Sequence, residues 1–374
     1  MQAYTRATKA LSGRLFVPYQ REGVVWMLLR ELHTGAGPKG GFMCDEMGLG
    51  KTVQVISTIL GNPQKNTLII VPKSIVGQWK DEIGHFAPQL TTVVYDGPAR
   101  LKIPDNDIRT SDIVIAPYSV MYSKNGEPTC ALHQYAWDRV VLDEGHEIRN
   151  PKSKITRSVM ALQRRISWIV TGTPVYNSIR DFVTLSAFLG IHKSVVQGMT
   201  ETVRKTYIMR RTKEDLVHLN ARLALPPCEI EHIELEMQPD ERSLYETVYS
   251  DAVDRIKNSK QLERNMVILE YILRCRQVMI HPQLYYDGLH RQTGDPTIEW
   301  TGNMTKMDKL FELMATHPTE KSLVFCLFSG EIQYIKNRLA AVGTPVFVIS
   351  GSVSQEDRVA QIKAFKTGPP GCVF

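Results

Sequence analysis

The chain has 374 residues, 43% of them hydrophobic and 22% charged, which excludes a disordered polymer and supplies apolar material for more than one core. Its net charge of +6 permits a polyanionic partner without requiring one. The six cysteines are scattered, with no C-x-x-C pair. They exclude a disulfide scaffold and a zinc finger and fit a reducing compartment.

Met1 to Leu15 carries basic residues without the apolar centre of a secretory signal. Gly41 to Cys44 reads as a short strand, Asp45 to Thr52 as a glycine-containing loop, and Val53 to Leu60 as a helix. Further β-branched runs follow at Thr67–Val71, Thr92–Tyr95, Asp112–Ala116, Arg139–Leu142 and Trp168–Thr171. Each is too short for a helix and almost continuously apolar, as a strand buried on both faces should be. Helical segments such as Ile75 to Phe86 fall between them, so the pattern predicts a parallel sheet wrapped by helices, an α/β fold. Beyond Arg222, Pro226-Pro227 breaks the chain and an alternating stretch runs from Glu229 to Met237. Pro239 to Gln277 reads as long helices, and Gly288 to Gly302 as a polar loop. A second strand–helix pattern starts at Ser322–Cys326, continues through a helix at Glu331–Ala341, and returns to a strand at Val346–Ile349. No apolar run approaches the ~18 residues of a membrane span.

Strand, glycine loop and helix in succession are the context of a phosphate-binding loop. The glycines Gly48 and Gly50 let backbone N–H groups curl around phosphate oxygens, and the helix start adds partial positive charge. The loop comprises Asp45, Glu46, Met47, Gly48, Leu49, Gly50, Lys51 and Thr52. Lys51 is placed to reach the β- and γ-phosphates of ATP, and Thr52 to offer a hydroxyl to Mg²⁺. Asp45 stands where the strict pattern has glycine. Val140-Val141-Leu142 ends in Asp143-Glu144-Gly145-His146. A carboxylate at the carboxyl end of such a strand sits beside the phosphate loop. Asp143 is the expected Mg²⁺ carboxylate, and Glu144 the residue that orients or deprotonates the attacking water. His146 is placed to sense the same site.

These residues resemble superfamily-2 motors and, within them, the Snf2-type DNA translocases. Phe16 to Gln20 with Val24 to Met27 is similar to the family's adenine-reading motif, which assigns Gln20 to adenine. Asp45 to Thr52 resembles the family's own form of the phosphate loop, in which Asp45 is expected. Val71-Pro72-Lys73-Ser74, Ala116-Pro117-Tyr118-Ser119 and Thr171-Gly172-Thr173-Pro174 resemble further motifs. The flanks Asp143 to Pro151, Met209 to Lys213, Ile272 to Gln277 and His281-Pro282 look like the Rad5/Rad16-like branch. The cysteine spacing leaves no RING finger, so ubiquitin transfer is not carried over.

The resemblance implies a RecA-like ATP-binding lobe over residues 1–222, a helical protrusion and linker over 223–302, and an incomplete second RecA-like lobe over 303–374. It implies an ATP- and Mg²⁺-dependent hydrolase moving on double-stranded DNA in remodelling or repair, with nucleosomes or DNA-bound proteins as further partners. Lys73, Ser74, Tyr118, Ser119, Arg149 and Lys152 are the implied phosphate-backbone contacts. His146, Thr171, Gly172 and Thr173 are the implied coupling residues. Backbone contacts of this kind bind without sequence preference and weaken with salt. Trp79 reads as a core anchor, and the pairs Arg164-Arg165 and Arg210-Arg211 as solvated faces or structural ion pairs. The family's later DNA-contacting motif and its arginine-bearing helix lie beyond Phe374. The expectation is therefore nucleotide binding with poor turnover by this chain alone, or a remainder supplied by a separate chain. The alternative is an ATP-sensitive DNA-binding or interaction protein without efficient hydrolysis. A GTPase is disfavoured, since the sequence has no Asn-Lys-x-Asp. The family implies residence in the nucleus, or in a viral replication compartment for a viral source.

Overall fold

The computed structural model describes residues 1–15, 18–122, 130–172, 179–224, 226–259 and 264–374. It divides into two compact units, Met1–Pro227 and Cys228–Phe374.

The first unit is built on seven strands: β1 (Lys39–Met43), β2 (Thr67–Val71), β3 (Thr92–Val94), β4 (Ile113–Pro117), β5 (Ala136–Asp143), β6 (Gln163–Val170) and β7 (Ile208–Met209). They form one sheet in the order β3-β4-β2-β5-β6-β1-β7, with every pairing parallel. The strands expected in this unit are all present. β7 is an addition at the edge beside β1. β2 and β4 are buried at every position, which is why they read as unbroken apolar runs rather than as alternating ones.

Alternation survives in three dimensions. Phe42, Leu68, Ile70, Val140, Leu142 and Ile169 enter one core. Their chain neighbours Met43, Ile69, Val71, Val141, Trp168 and Val170 enter the other. Successive side chains point to opposite faces, and here both faces are covered. Four helices matter for the site: α1 (Gln2–Ala10), α2 (Tyr19–Leu32), α3 (Lys51–Gly61) and α4 (Val76–Phe86). A short 3₁₀ turn, Lys73–Ile75, leads into α4.

In the second unit, helices Pro239–Asn258 and Arg264–Ile280 fulfil the long-helix expectation. The stretch from Glu229 to Met237 takes no regular structure. A helix spans Pro282–Thr293, so the loop expected from Gly288 starts later. Gly288 is buried against a neighbour rather than breaking the helix: a Cβ there would lie 2.2 Å from the Arg274 guanidinium. The expected strands at Ser322–Cys326 and Val346–Ile349 are reduced to parallel bridges from Ser322 and Val346 to Val373. Helices Thr305–Thr316 and Ser329–Ala341 pack Met307, Ile335 and Leu339 against Val373. Among the described residues no helix is long and apolar enough to cross a membrane.

Candidate nucleotide site at the carboxyl edge of the sheet

Parallel pairing places the carboxyl ends of all these strands along one edge. There the sequence-selected residues converge. The phosphate loop follows β1, Lys73 and Ser74 follow β2, Tyr118 and Ser119 follow β4, Glu144 follows β5, and Thr171 and Gly172 follow β6. This is the edge at which open α/β sheets bind ligands. Thr173 lies outside the described residues.

The loop obtains its curl from two glycines in the left-handed region, Gly48 (φ 88°) and Gly50 (φ 76°). Gly50 immediately precedes α3. A Cβ at Gly50 would lie 2.4 Å from the Gln20 amide nitrogen. That nitrogen donates to the Leu49 carbonyl at 3.2 Å, so the side chain of α2 braces the loop from inside. Leu49 itself is fully buried, packed with Tyr19 and Leu216. Lys51 Nζ donates to the Asp45 carbonyl at 2.8 Å and reaches the Glu46 carbonyl at 3.4 Å, which holds the ammonium over the loop. Glu46 accepts from the Lys213 backbone N–H at 2.7 Å. Met47 is exposed at the tip. Thr52 is partly buried in the first turn of α3.

Asp45 is fully buried. Arg211, just past β7, grips it with two nitrogens, Nε to Oδ1 at 3.0 Å and Nη2 to Oδ2. The same guanidinium donates to the Tyr19 carbonyl and to Gln54 Oε1. Gln54 in turn donates to Asp45 Oδ2 at 3.2 Å. One carboxylate thus joins the loop to α2, α3 and the chain after β7. The Arg210-Arg211 pair resolves, at Arg211, into a structural ion pair. Arg164 is also structural: burial lowers its pKa to about 10, and its guanidinium donates to the Leu162 and Phe188 carbonyls.

The second acidic element is equally constrained. Asp143 is 8% exposed. Its Oδ2 accepts from the Trp79 indole N–H at 2.7 Å and its Oδ1 from the Glu144 N–H at 3.0 Å. Burial pushes its pKa up to about 6, against the opposing hydrogen bond from Trp79. Its backbone carbonyl accepts from the Tyr118 hydroxyl at 3.0 Å. Tyr118 is 4% exposed, so the structure places its side chain in the core rather than on the surface. Glu144 has φ 49°, the one positive value among described non-glycine residues. Such strain persists only where surrounding contacts over-determine it, and it gathers at functional sites. The Glu144 carboxylate accepts from Thr171 Oγ1 at 3.3 Å and lies 3.2 Å from His146 Nδ1. The structure therefore brings Glu144, His146 and Thr171 together. Lys73, Ser74, Ser119 and Lys152 are exposed along the same edge, and Arg149 is partly buried.

Gly145 is required for a different reason from the loop glycines. A Cβ there would meet the Ile169 Cγ2 methyl of β6 at 2.5 Å. Gly145→Ala should therefore lower stability by about 1–3 kcal/mol through overpacking. Thermal denaturation checks this, and the loss should be less than additive with Ile169→Ala. An unchanged melting temperature for the single variant would show that β6 yields without cost.

The donor set suits the groups the sequence implied. A left-handed glycine loop at a helix start is an anion cradle. A buried carboxylate beside a threonine-bearing helix start is a hard oxygen set of the kind that holds Mg²⁺. The fold is an α/β unit with a glycine loop and an acidic strand end on one sheet edge. The family model described as the SNF2-related domain matches residues 19–284, and the chain belongs to that family.

Among relatives, YwqA of Bacillus subtilis, provisionally named an ATP-dependent helicase/translocase, is 30% identical over 93% of this chain and 39% of its own length. DNA repair protein RAD5 of Candida albicans is 30% identical over 70% of this chain and 29% of its own length. The helicase-like transcription factor of Oryctolagus cuniculus is 30% identical over 72% and 30%. The chain thus spans between 29% and 39% of the length of these relatives. The SWI2/SNF2 ATPase core of Sulfolobus solfataricus, solved with double-stranded DNA, aligns over 97% of this chain and 78% of that chain. The identity is 24% and the TM-score 0.47.

Proposed function

We propose that this chain is the ATP-binding portion of a Snf2-type translocase that hydrolyses ATP on double-stranded DNA. The observation that carries the reading is the convergence on one sheet edge of the phosphate loop, the Asp143-Glu144 pair and Thr171. In this reading Lys51 holds the β- and γ-phosphates and Gln20 contacts adenine. Thr52 and Asp143 hold Mg²⁺, which when bound neutralises phosphate charge. Glu144 orients the attacking water, while His146 and Thr171, both against its carboxylate, tie the state of that site to the neighbouring strand end. Thr173 is assigned to coupling by resemblance alone.

Lys73, Ser74, Ser119, Arg149 and Lys152 line the route of one duplex backbone; Tyr118 is left out of these contacts because its side chain is buried in the core. The names of the relatives, a helicase/translocase and a DNA repair protein, support the DNA track. Nucleosomes or DNA-bound proteins are the proposed loads, and the nucleus the proposed compartment for a eukaryotic source. The division into residues 1–222, 223–302 and 303–374 remains part of the same proposal.

The test is the ATPase rate and nucleotide affinity of the full chain with and without duplex DNA. Lys51→Ala should weaken ATP binding about ten- to a hundredfold, the worth of a charge-assisted contact. Retention of full affinity would remove the phosphate-loop assignment. Failure to bind duplex DNA at low salt would remove the DNA track, because backbone contacts are strongest there.

A further inference from the structure

We infer that Trp79 and Tyr118 are positioning residues that connect the DNA-facing segments to the magnesium carboxylate Asp143. This inference rests on the proposed function and deepens it. Asp143 is held from two sides by side chains that lie next to candidate DNA contacts. Trp79 sits in α4, which begins immediately after the turn that carries Lys73 and Ser74. Its indole N–H reaches across 64 residues of sequence to Asp143 Oδ2 at 2.7 Å. Tyr118 is the chain neighbour of exposed Ser119 in the turn after β4. Its hydroxyl donates to the Asp143 carbonyl at 3.0 Å.

Both linkers are stiff. Trp79 is 1% exposed and Tyr118 4%, and close-packed interiors transmit displacement rather than absorbing it. β2 and β4 are adjacent, with Val71 opposite Pro117. The two DNA-facing turns therefore leave the sheet side by side, and β5, which carries Asp143, pairs with β2 on the other side. A duplex backbone gripped by Lys73, Ser74 and Ser119 would press on two turns, one continuing into α4 through buried Val76 to Trp79 and the other containing Tyr118, and both Trp79 and Tyr118 hold Asp143. Trp79 fixes the carboxylate's rotation, and Tyr118 fixes the height of its backbone. Neither touches the reacting atoms in this arrangement. They set where the cation carboxylate stands when DNA is seated.

The linkage is reciprocal: if DNA improves Mg²⁺–ATP binding, Mg²⁺–ATP improves DNA binding by the same factor. The experiment measures the affinity of the full chain for a fluorescent ATP analogue with Mg²⁺, with and without a short duplex, and the duplex affinity alone. The variants are Trp79→Phe and Tyr118→Phe, which keep a ring in the core and remove the donor; Tyr118→Phe removes nothing else, whereas Trp79→Phe also gives up part of the indole's buried volume. Melting temperatures report whether each variant folds. The wild-type chain should show a DNA-dependent change in Mg²⁺–ATP affinity of about fivefold or more, the lower range of allosteric couplings. In the variants each ligand alone should bind within about twofold of wild type while the coupling factor falls toward unity. A merely structural role would weaken the separate affinities or the melting temperature and leave the ratio intact.

If the wild-type chain couples and both folded variants keep the full coupling factor, the inference is overturned and the proposed function stands. If wild type binds both ligands with no coupling, the inference is likewise overturned. If it binds no duplex or no nucleotide, the proposed function fails and takes the inference with it. Should one phenylalanine variant fail to fold, the other tests its own half of the connection, since the two donors reach Asp143 through different strand ends.

Discussion

Arg139→Met should destabilise the first unit by about 3–5 kcal/mol, the cost of leaving a buried partner charge uncompensated. The partner is Glu31 of α2, and both side chains are essentially inaccessible, at 1% and 0%. Arg139 sits in β5 and donates Nε to Glu31 Oε1 at 2.7 Å, Nη1 to Thr67 Oγ1 at 3.1 Å and Nη2 to the Asn62 carbonyl at 2.8 Å. Glu31 also accepts from the Trp168 indole at 2.8 Å and from Asn62 Nδ2 at 2.7 Å. One ion pair thereby fastens α2 to β2, β5, β6 and the end of α3. For a unit of this size the loss corresponds to a fall of roughly 10 °C in melting temperature. Glu31→Gln should cost a similar amount, because the guanidinium then keeps its burial and loses its countercharge. The informative variant replaces both partners by apolar residues of like volume. It should recover most of the loss, because desolvation of the pair offsets much of its attraction. If Arg139→Met alone left the melting temperature unchanged, the pair would be electrostatically idle and the anchoring role would be wrong.

This pair marks a limit of the sequence. The central strands were legible because a strand covered on both faces leaves an unbroken apolar run, as in Thr67–Val71. Arg139 opens such a run and looks like a polar boundary, whereas the structure buries it completely. Only a carboxylate from a distant helix makes that possible, and sequence spacing does not announce a partner 108 positions away. β7 escaped notice because Ile208–Met209 is too short to carry a period. The helix that runs through Gly288 to Thr293 reads as loop because the stretch from Gly288 is polar. Gly288 itself answers a close approach of Arg274. In the second unit Ser322–Cys326 has strand composition, yet Phe325 is 93% exposed. Composition marks what can pair, and pairing needs a neighbour.

The site shows the same asymmetry. The loop, Asp143 and Glu144 were legible because their chemistry fixes residue type at fixed spacing. Their supports were not. Trp79 reads as a core anchor and is one, but its indole N–H also serves Asp143. A buried strand-end carboxylate must find donors, and a tryptophan on α4, the helix that follows the neighbouring strand β2, is the available signal. The pair Arg210-Arg211 reads as a solvated face or a structural ion pair, and Arg211 is the latter, with a partner the sequence does not name. An acid placed inside an anion-binding loop requires a cation behind it, and that requirement pointed toward Arg211 without naming it.

Asp45→Gly should impair the loop even though it restores the strict glycine pattern. A glycine at this position elsewhere adds freedom to a loop that needs it, so pattern matching predicts gain or neutrality. The structure predicts loss. Asp45 has no exposure, and Arg211 is only 11% exposed. Removing the carboxylate leaves a guanidinium whose other partners are the Tyr19 carbonyl, Gln54 Oε1 and, at 3.8 Å, the exposed Glu22 carboxylate, a solvent-screened countercharge that replaces little of the buried one. The expected cost is again about 3–5 kcal/mol for a broken buried pair, with extra backbone entropy to freeze at the new glycine. Nucleotide affinity should fall as well. Gln54 loses its acceptor at Asp45, and the carbonyl that positions Lys51 Nζ belongs to the substituted residue. Asp45→Asn separates the two effects. It keeps the backbone and one acceptor oxygen but removes the charge, so its loss should be mainly in stability. Arg211→Met should match Asp45→Gly in stability while leaving the residue at the loop unchanged. Equilibrium unfolding and nucleotide titration, run on the three variants, give the comparison. An Asp45→Gly protein with wild-type stability and affinity would mean that the loop holds its shape from its glycines alone, with Arg211 a bystander.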